Sequence, residues 1–310
     1  MIQPQSIIDH MERVIVGKRP VLELVLAAML AEGHVLIEDV PGVAKTLLAR
    51  TVARTFNLSY SRVQLTPDLL PADLTGTGIW DETVRQFRFQ PGPVFCQILL
   101  ADELNRATPR TQAGLLEAME EQAVTEGGNR HPLPRPFFVL ATQNPIEQQG
   151  VFPLPEAQLD RFLIQISMGY PEAEDELAIV LAQAQGHPID KLASIAGLSD
   201  FQQMREASMR LHIDPTVGEY IVRLVRATRE REELLLGASP RASIGLHRLA
   251  RALAYVEESE YVLPDHVKLA APAVLRHRLM LTPQARLAGL KTDQVIETLL
   301  DRVEVPIYTA

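Results

Sequence analysis

Five short, predominantly apolar runs recur in the first half of the chain, at residues 34–39, 60–66, 94–102, 137–142 and 161–168. They are apolar throughout rather than alternating, as expected for strands buried on both faces of a mainly parallel sheet, and most are separated by helix-like stretches. The first half therefore reads as α/β. From about Tyr170 the period changes: residues 172–184, 215–232 and 244–257 carry apolar side chains three and four positions apart with charges between them, which predicts helices. A boundary is expected at Gly169-Tyr170-Pro171, dividing 1–169 from 170–310. Two interruptions of the first half have hairpin character, 78–90 around Asp81-Glu82-Thr83 and 123–138 around Gly127-Gly128-Asn129. The second is rich in proline and reads equally well as a surface loop.

Composition narrows the class. The chain has 310 residues, 46% hydrophobic and 22% charged, the balance of a globular protein able to bury a large core. A formal charge of −9 gives no electrostatic footprint for sequence-independent binding of nucleic acid. Cys96 is the single cysteine, so an intramolecular disulfide, a redox pair and a cysteine zinc site are all excluded, and its apolar neighbours predict a buried thiol. The opening MIQPQSIIDHMERV lacks a basic segment followed by an apolar core, and the apolar stretch 21–31 contains Glu23 and falls short of the roughly 20 residues a bilayer requires. A cytoplasmic location without membrane insertion is expected.

The candidate chemistry begins at HVLIEDVPGVAKTL, residues 34–47. A phosphate loop of the form Gly, any four residues, Gly-Lys-Ser/Thr would have glycines at 39 and 44, where this chain has Asp39 and Ala44. Lys45 is nevertheless placed to meet β- and γ-phosphates, Thr46 to meet Mg²⁺, and the following helix to offer free N–H groups. An alanine at a positive-φ position costs on the order of 1 kcal/mol, which is tolerable. A carboxylate facing triphosphate is not, so the Asp39 side chain is expected to turn away and cap a backbone N–H.

Further along, Ile98-Leu99-Leu100-Ala101-Asp102-Glu103 is a buried-strand pattern ending in two acids. There Asp102 would serve Mg²⁺ and Glu103 would polarise an attacking water, although a strand simply ending in solvated acids would look similar. The run 137–142 leads to Gln143-Asn144-Pro145, where Asn144 is either a polar group facing the same site or a turn former. Arg161, ahead of the fifth run, is a candidate arginine finger or a partner of Asp160. Ser239-Pro240-Arg241 is an N-cap, a first-turn proline and an arginine fixed at a helix start. His247, His266 and His277 lack ligand spacing on one face, so no metal beyond Mg²⁺ is assigned.

These elements in this order resemble an AAA+ ATPase over essentially the whole chain. More narrowly, GHVLIEDVPGVAKT, RVQLTPDLLPADLTG, GPVFCQILLADELNRATPRTQAGLLEAMEEQAVT, FFVLATQNPIEQQGVFPLPEAQLDRF and PRASIGLHRLARALA are similar to the MoxR family. The resemblance implies an α/β core with sheet order 5-1-4-3-2, the two hairpins as helix-2 and pre-sensor-1 inserts, and a helical lid domain. It implies Mg-ATP as ligand, with Lys45 and Thr46 as Walker A within the loop Pro41, Gly42, Val43, Ala44, Lys45, Thr46 and Leu47. Val16 and Gly17 would lie by the adenine. Asp102 and Glu103 would be Walker B, Asn144 sensor 1, Arg161 the finger and Arg241 sensor 2. It further implies a homo-oligomeric, hexameric ring whose ATP hydrolysis drives chaperone-like remodelling or maturation of partner proteins, including partners with von Willebrand factor A domains.

Two other readings stand beside this ATP-hydrolysing remodeller. Asp39 and Ala44 would slow turnover in a nucleotide-gated scaffold, and an AAA+ helicase loader would bind DNA, against which the acidic balance and the lack of an appended DNA-binding module argue. Arg106 and Arg110 are read as further trans-acting arginines or as helix-surface residues.

Overall fold

The structure is a computed structural model describing residues 2–83, 85–145, 150–184 and 186–306. Residues 146–149, within the FFVLATQNPIEQQGVFPLPEAQLDRF stretch, lie outside it.

Two helices, α1 (Pro4–Glu12) and α2 (Arg19–Leu30), precede the sheet. The first half then runs β1 (Val35–Glu38), α3 (Lys45–Thr55), β2 (Tyr60–Gln64), α4 (Pro71–Thr75), β3 (Gly76–Asp81), β4 (Gln86–Pro91), β5 (Ile98–Asp102) and α5 (Pro109–Glu121). It continues with β6 (Ala123–Glu126), β7 (Asn129–Pro132), β8 (Phe138–Gln143), α6 (Glu156–Leu159) and β9 (Ile164–Ile166). Five strands form one parallel sheet in the order β2-β5-β8-β1-β9, which is the expected 5-1-4-3-2 arrangement read from the opposite edge. The central strands are apolar because helices cover both faces: Val35, Ile98 and Val139 are fully buried. Of the two edge strands, β9 is buried along its length, whereas β2 leaves Arg62 and Gln64 exposed. β5 is shorter than the apolar run 94–102 because Phe95 and Cys96 donate to Gly92 and Val94 in tight turns before the ladder starts.

Both hairpins are present, β3 with β4 and β6 with β7, and the second, equally compatible with a loop, pairs through four residues a side. They touch: Phe89 stacks on His131 with ring centroids 3.9 Å apart, and the Gly78 N–H reaches the Glu126 carboxylate at 3.3 Å.

The second half is helical apart from short paired segments such as His212–Ile213 with Tyr261–Val262. Its helices are α7 (Ala173–Gln183), α8 (Pro188–Lys191), α9 (Leu198–Arg210), α10 (Pro215–Ala227), α11 (Pro240–Val256), α12 (Pro264–Leu275), α13 (Pro283–Leu287) and α14 (Thr292–Arg302). α11 packs against α2 and α12, burying Leu246, Leu249 and Leu253. One apolar core therefore runs without a break from Leu26 in α2 and Val35 in β1 to Leu249 and Val274. No helix of the described residues is long and apolar enough to cross a membrane.

Candidate functional site

Parallel pairing brings the carboxyl ends of four strands to one edge, with Glu38 opposite Gln143 and Gln64 opposite Asp102. The loop leaving β1 turns there into the N-terminus of α3. Gly42 has φ +90°, with open space where a side chain would project, and Ala44 has φ +61°. Ala44 thus takes the left-handed conformation that a glycine would take more cheaply. No side chain caps α3, so its first N–H groups are free to meet an anion.

Asp39 is turned away from this loop. Its buried carboxylate accepts from the N–H of Val40 at 2.9 Å, of Met168 at 2.6 Å and of Gly169 at 2.8 Å, and from the Ser167 hydroxyl at 3.1 Å. The acid bolts the end of β1 to the segment leaving β9, as the electrostatic argument required. Lys45 folds back so that its ammonium donates to the Asp39 main-chain oxygen at 2.7 Å. Burial pulls its pKa down against the attraction of Asp39, Asp102 and Glu103, which puts all three acids within its field.

The two acids after β5 are held by neighbouring strands. Asp102 accepts from the Thr142 hydroxyl at 2.7 Å and from the Arg62 guanidinium at 2.8 Å. Glu103 has φ +58°, and its own N–H donates to Thr142 at 2.9 Å. Its carboxylate accepts from the Gln64 amide at 2.6 Å and pairs with Arg106 at 3.2 Å. Arg62, Gln64 and Thr142 were not singled out from the sequence. Two polar residues alternating on the strand beside β5 were the available signal. Asn144 follows β8, buried, its carbonyl 3.4 Å from the Asn105 amide. Val16 and Gly17 lie just before α2, Gly17 with φ +69° and the Asp175 carboxylate where a Cβ would stand. Lys45, Thr46, Asp102, Glu103 and Asn144 thus share one end of the sheet.

Arg161 and Arg241 do not join them. Both bind Glu120, at 3.0 Å and 2.9 Å. Glu120 sits at the far end of α5, which carries the chain about 20 Å from its start, at 1.5 Å per residue over its 13 residues. There His34, at the beginning of β1, lies 3.3 Å from the Met119 carbonyl. The two arginines therefore occupy the amino edge of the sheet. They are linked: the Ser239 hydroxyl, which caps α11 through the Arg241 N–H at 3.2 Å, donates to Asp160 at 3.0 Å. The other Asp160 oxygen takes the buried Arg278 at 2.7 Å. Asp160, open in the sequence as a partner of Arg161, instead serves Ser239 and Arg278.

The oxygens of Thr46 and Asp102 are hard ligands of the kind Mg²⁺ takes, and the uncapped helix start with Lys45 suits a polyphosphate, so the residues present fit Mg-ATP. Residues 34–164 match the model of the ATPase family associated with various cellular activities (AAA), and residues 226–299 that of the AAA lid domain. Chaperone MoxR1 of Mycobacterium tuberculosis is 44% identical over 312 residues, covering 98% of this chain and 82% of that protein. The chain belongs to the MoxR family of AAA+ ATPases. Protein MoxR of Methylorubrum extorquens is 30% identical, covering 95% and 92%, and the uncharacterized protein YeaC of Bacillus subtilis is 45% identical, covering 97% and 94%. A crystal structure from Cytophaga hutchinsonii, assigned as an ATPase, superposes with a TM-score of 0.91 at 39% identity, covering 98% of this chain and 94% of that one. In this MoxR-family chain the sheet, both hairpins and the helical second half thus sit in a fold shared along nearly the whole length.

Proposed function

We propose that this chain hydrolyses Mg-ATP at sites shared between neighbouring copies of a hexameric ring, and that turnover drives chaperone-like remodelling or maturation of partner proteins, including those with von Willebrand factor A domains. One observation carries the shared-site reading. The groups suited to bind triphosphate lie at the carboxyl edge of the sheet, while Arg161 and Arg241 are held at its amino edge by Glu120. A single chain therefore leaves its own phosphates without these arginines, and a second copy can supply them. The name of the relative Chaperone MoxR1 supports the remodelling part.

The roles follow from chemistry. Lys45 and the first N–H groups of α3 hold the β- and γ-phosphates, and Thr46 and Asp102 would hold Mg²⁺. When bound, the ion supplies charge neutralisation on the phosphate oxygens. Glu103 accepts the proton of the attacking water, and Gln64 and Arg106 set its carboxylate until then. Asn144 orients that water. Arg161 and Arg241 of the neighbouring copy leave Glu120 for the γ-phosphate, stabilising charge in the transition state, an effect worth about a thousandfold or more in such sites. We keep 169/170 as the boundary between the nucleotide-binding half and the helical half, and Val16-Gly17 as the adenine side. The expected location is cytoplasmic.

Mixed-subunit complementation is the test. Chains with Lys45→Ala cannot hold ATP, and chains with Arg161→Ala cannot complete a neighbour's site. Mixing them should restore phosphate release at interfaces pairing an intact phosphate loop with an intact Arg161. Lys45→Ala mixed with Arg241→Ala should do the same. No recovery in either mixture would overturn the shared site.

A further inference from the structure

The helix α7 buries none of its residues. Leu177, Val180 and Leu181 remain 60%, 61% and 61% exposed, and their spacing of three and four places them on one stripe. The first turn carries Glu174, Asp175 and Glu176. α7 stands at the nucleotide end of the chain, because it follows the Met168–Gly169 turn held by Asp39, and Asp175 abuts Gly17. An apolar stripe of this length in open water is a face awaiting a partner.

At the arginine end lies a matching surface. A groove between α10 and α11 is floored by Val222 and Ile244, 46% and 55% exposed, and flanked by Arg223, Arg226 and Arg248, with Glu219 the acid among them. Arg223 is partly engaged, 3.9 Å from Glu219 and donating to the Glu304 carbonyl. Ile244 and Arg248 also line the cavity holding Arg161 and Arg241, so groove and arginine pair form one continuous face.

We propose that α7 of one copy docks in the α10–α11 groove of the next. The occupant is a second copy because both halves of the contact lie on this chain and their charges are opposite: an acidic helix start with an apolar stripe meets an apolar floor with a basic rim. The halves lie towards opposite edges of the sheet, so the contact is head-to-tail and repeats from copy to copy, as ring closure requires. The inference rests on the shared-site reading, since carrying Arg161 and Arg241 to a neighbour's phosphates brings the groove beside that neighbour's α7.

Cross-linking tests it. Chains carrying Leu181→Cys and chains carrying Val222→Cys are mixed with Mg²⁺ and a non-hydrolysable ATP analogue, oxidised and run without reductant. The native Cys96 is buried, with its thiol pKa pushed up to about 12, and stays silent. The mixture should give a cross-linked heterodimer that neither variant gives alone, and the double variant should give a ladder. Assembly by sedimentation without that heterodimer would overturn the docking while leaving the shared site intact, and would point to a client helix as occupant. A double variant closing on itself as a monomer would also overturn it. Failure to assemble at all would remove the docking, and recovery in the Lys45→Ala and Arg161→Ala mixture reports separately on the shared site. Leu177→Asp should weaken assembly by about tenfold or more while leaving ATP binding by the single chain unchanged.

Discussion

Replacing Asp39 by alanine tests the reading of the phosphate loop most directly, because two geometries predict opposite signs. In the structure the carboxylate accepts four hydrogen bonds, three from backbone N–H groups, and Met168 is itself buried. Orphaning a buried N–H that pointed at a charged acceptor costs about 3 kcal/mol, and the partly exposed donors, which water can reach, add several tenths each. The sum is about 4 kcal/mol. For a chain of 310 residues unfolding as one unit, that is a fall of about 6 °C in the melting temperature. Because the carboxylate fixes the base of the loop, ATP should also bind more weakly. Had Asp39 faced the phosphates, its removal would relieve repulsion and tighten binding. Calorimetric melting and titration with ATP on the same preparation decide it. A melting temperature within a degree of wild type together with tighter binding would refute the argument.

Four further outcomes are expected. Ala44→Gly should stabilise the chain by up to about 1 kcal/mol by relieving the left-handed backbone, read from denaturant midpoints. Glu103→Gln should retain ATP in a binding assay and lose phosphate release, whereas retained turnover would remove Glu103 as the base. His34 accepts from the Val139 N–H at 3.1 Å, and burial lowers its pKa from 6.5 to about 4. Its contribution is therefore intact above pH 6.5 and lost as pH falls from 6.5 towards 4, by roughly 3 kcal/mol in all; His34→Gln should flatten that limb of urea midpoints. Asp160→Asn leaves Arg278 buried without its anion and should cost about 3 kcal/mol or more, with Arg161 and Arg241 substitutions losing their full effect in that background.

Much of the fold was readable because buried parallel strands carry a signal no other element does. The runs at 34–39, 98–102 and 137–142 are apolar on both faces, and the sheet places them side by side. The orientation of Asp39 was readable too, since only one sign of electrostatics is tolerable beside triphosphate. Gln64 and Arg62 were hidden because their meaning lies in register: Gln64 opposes Asp102 only once β2 pairs with β5. Glu120 was hidden for a stronger reason. Its partners come from positions 161 and 241, and nothing local in EAMEEQ announces a residue that two distant arginines share. The hairpin at 123–132 was ambiguous because proline-rich composition suits a loop equally, and the ladder and the Phe89–His131 stack decide it.

The Asp160 pin bears on how the subunit moves. It clamps the α11 start and Arg278 to the segment carrying Arg161, and the apolar core crosses between the two halves beside it. A hinge needs a seam with little across it, and among the described residues none runs along that line. On the proposed function, work done at the phosphates would therefore be delivered as the tilt of a stiff block against a second copy, not as the flap of a lid over its own ligand. In hydrogen exchange with Mg-ATP added, the amides flanking Asp160 and α11 should stay protected, while those of the contact surfaces proposed between copies should change.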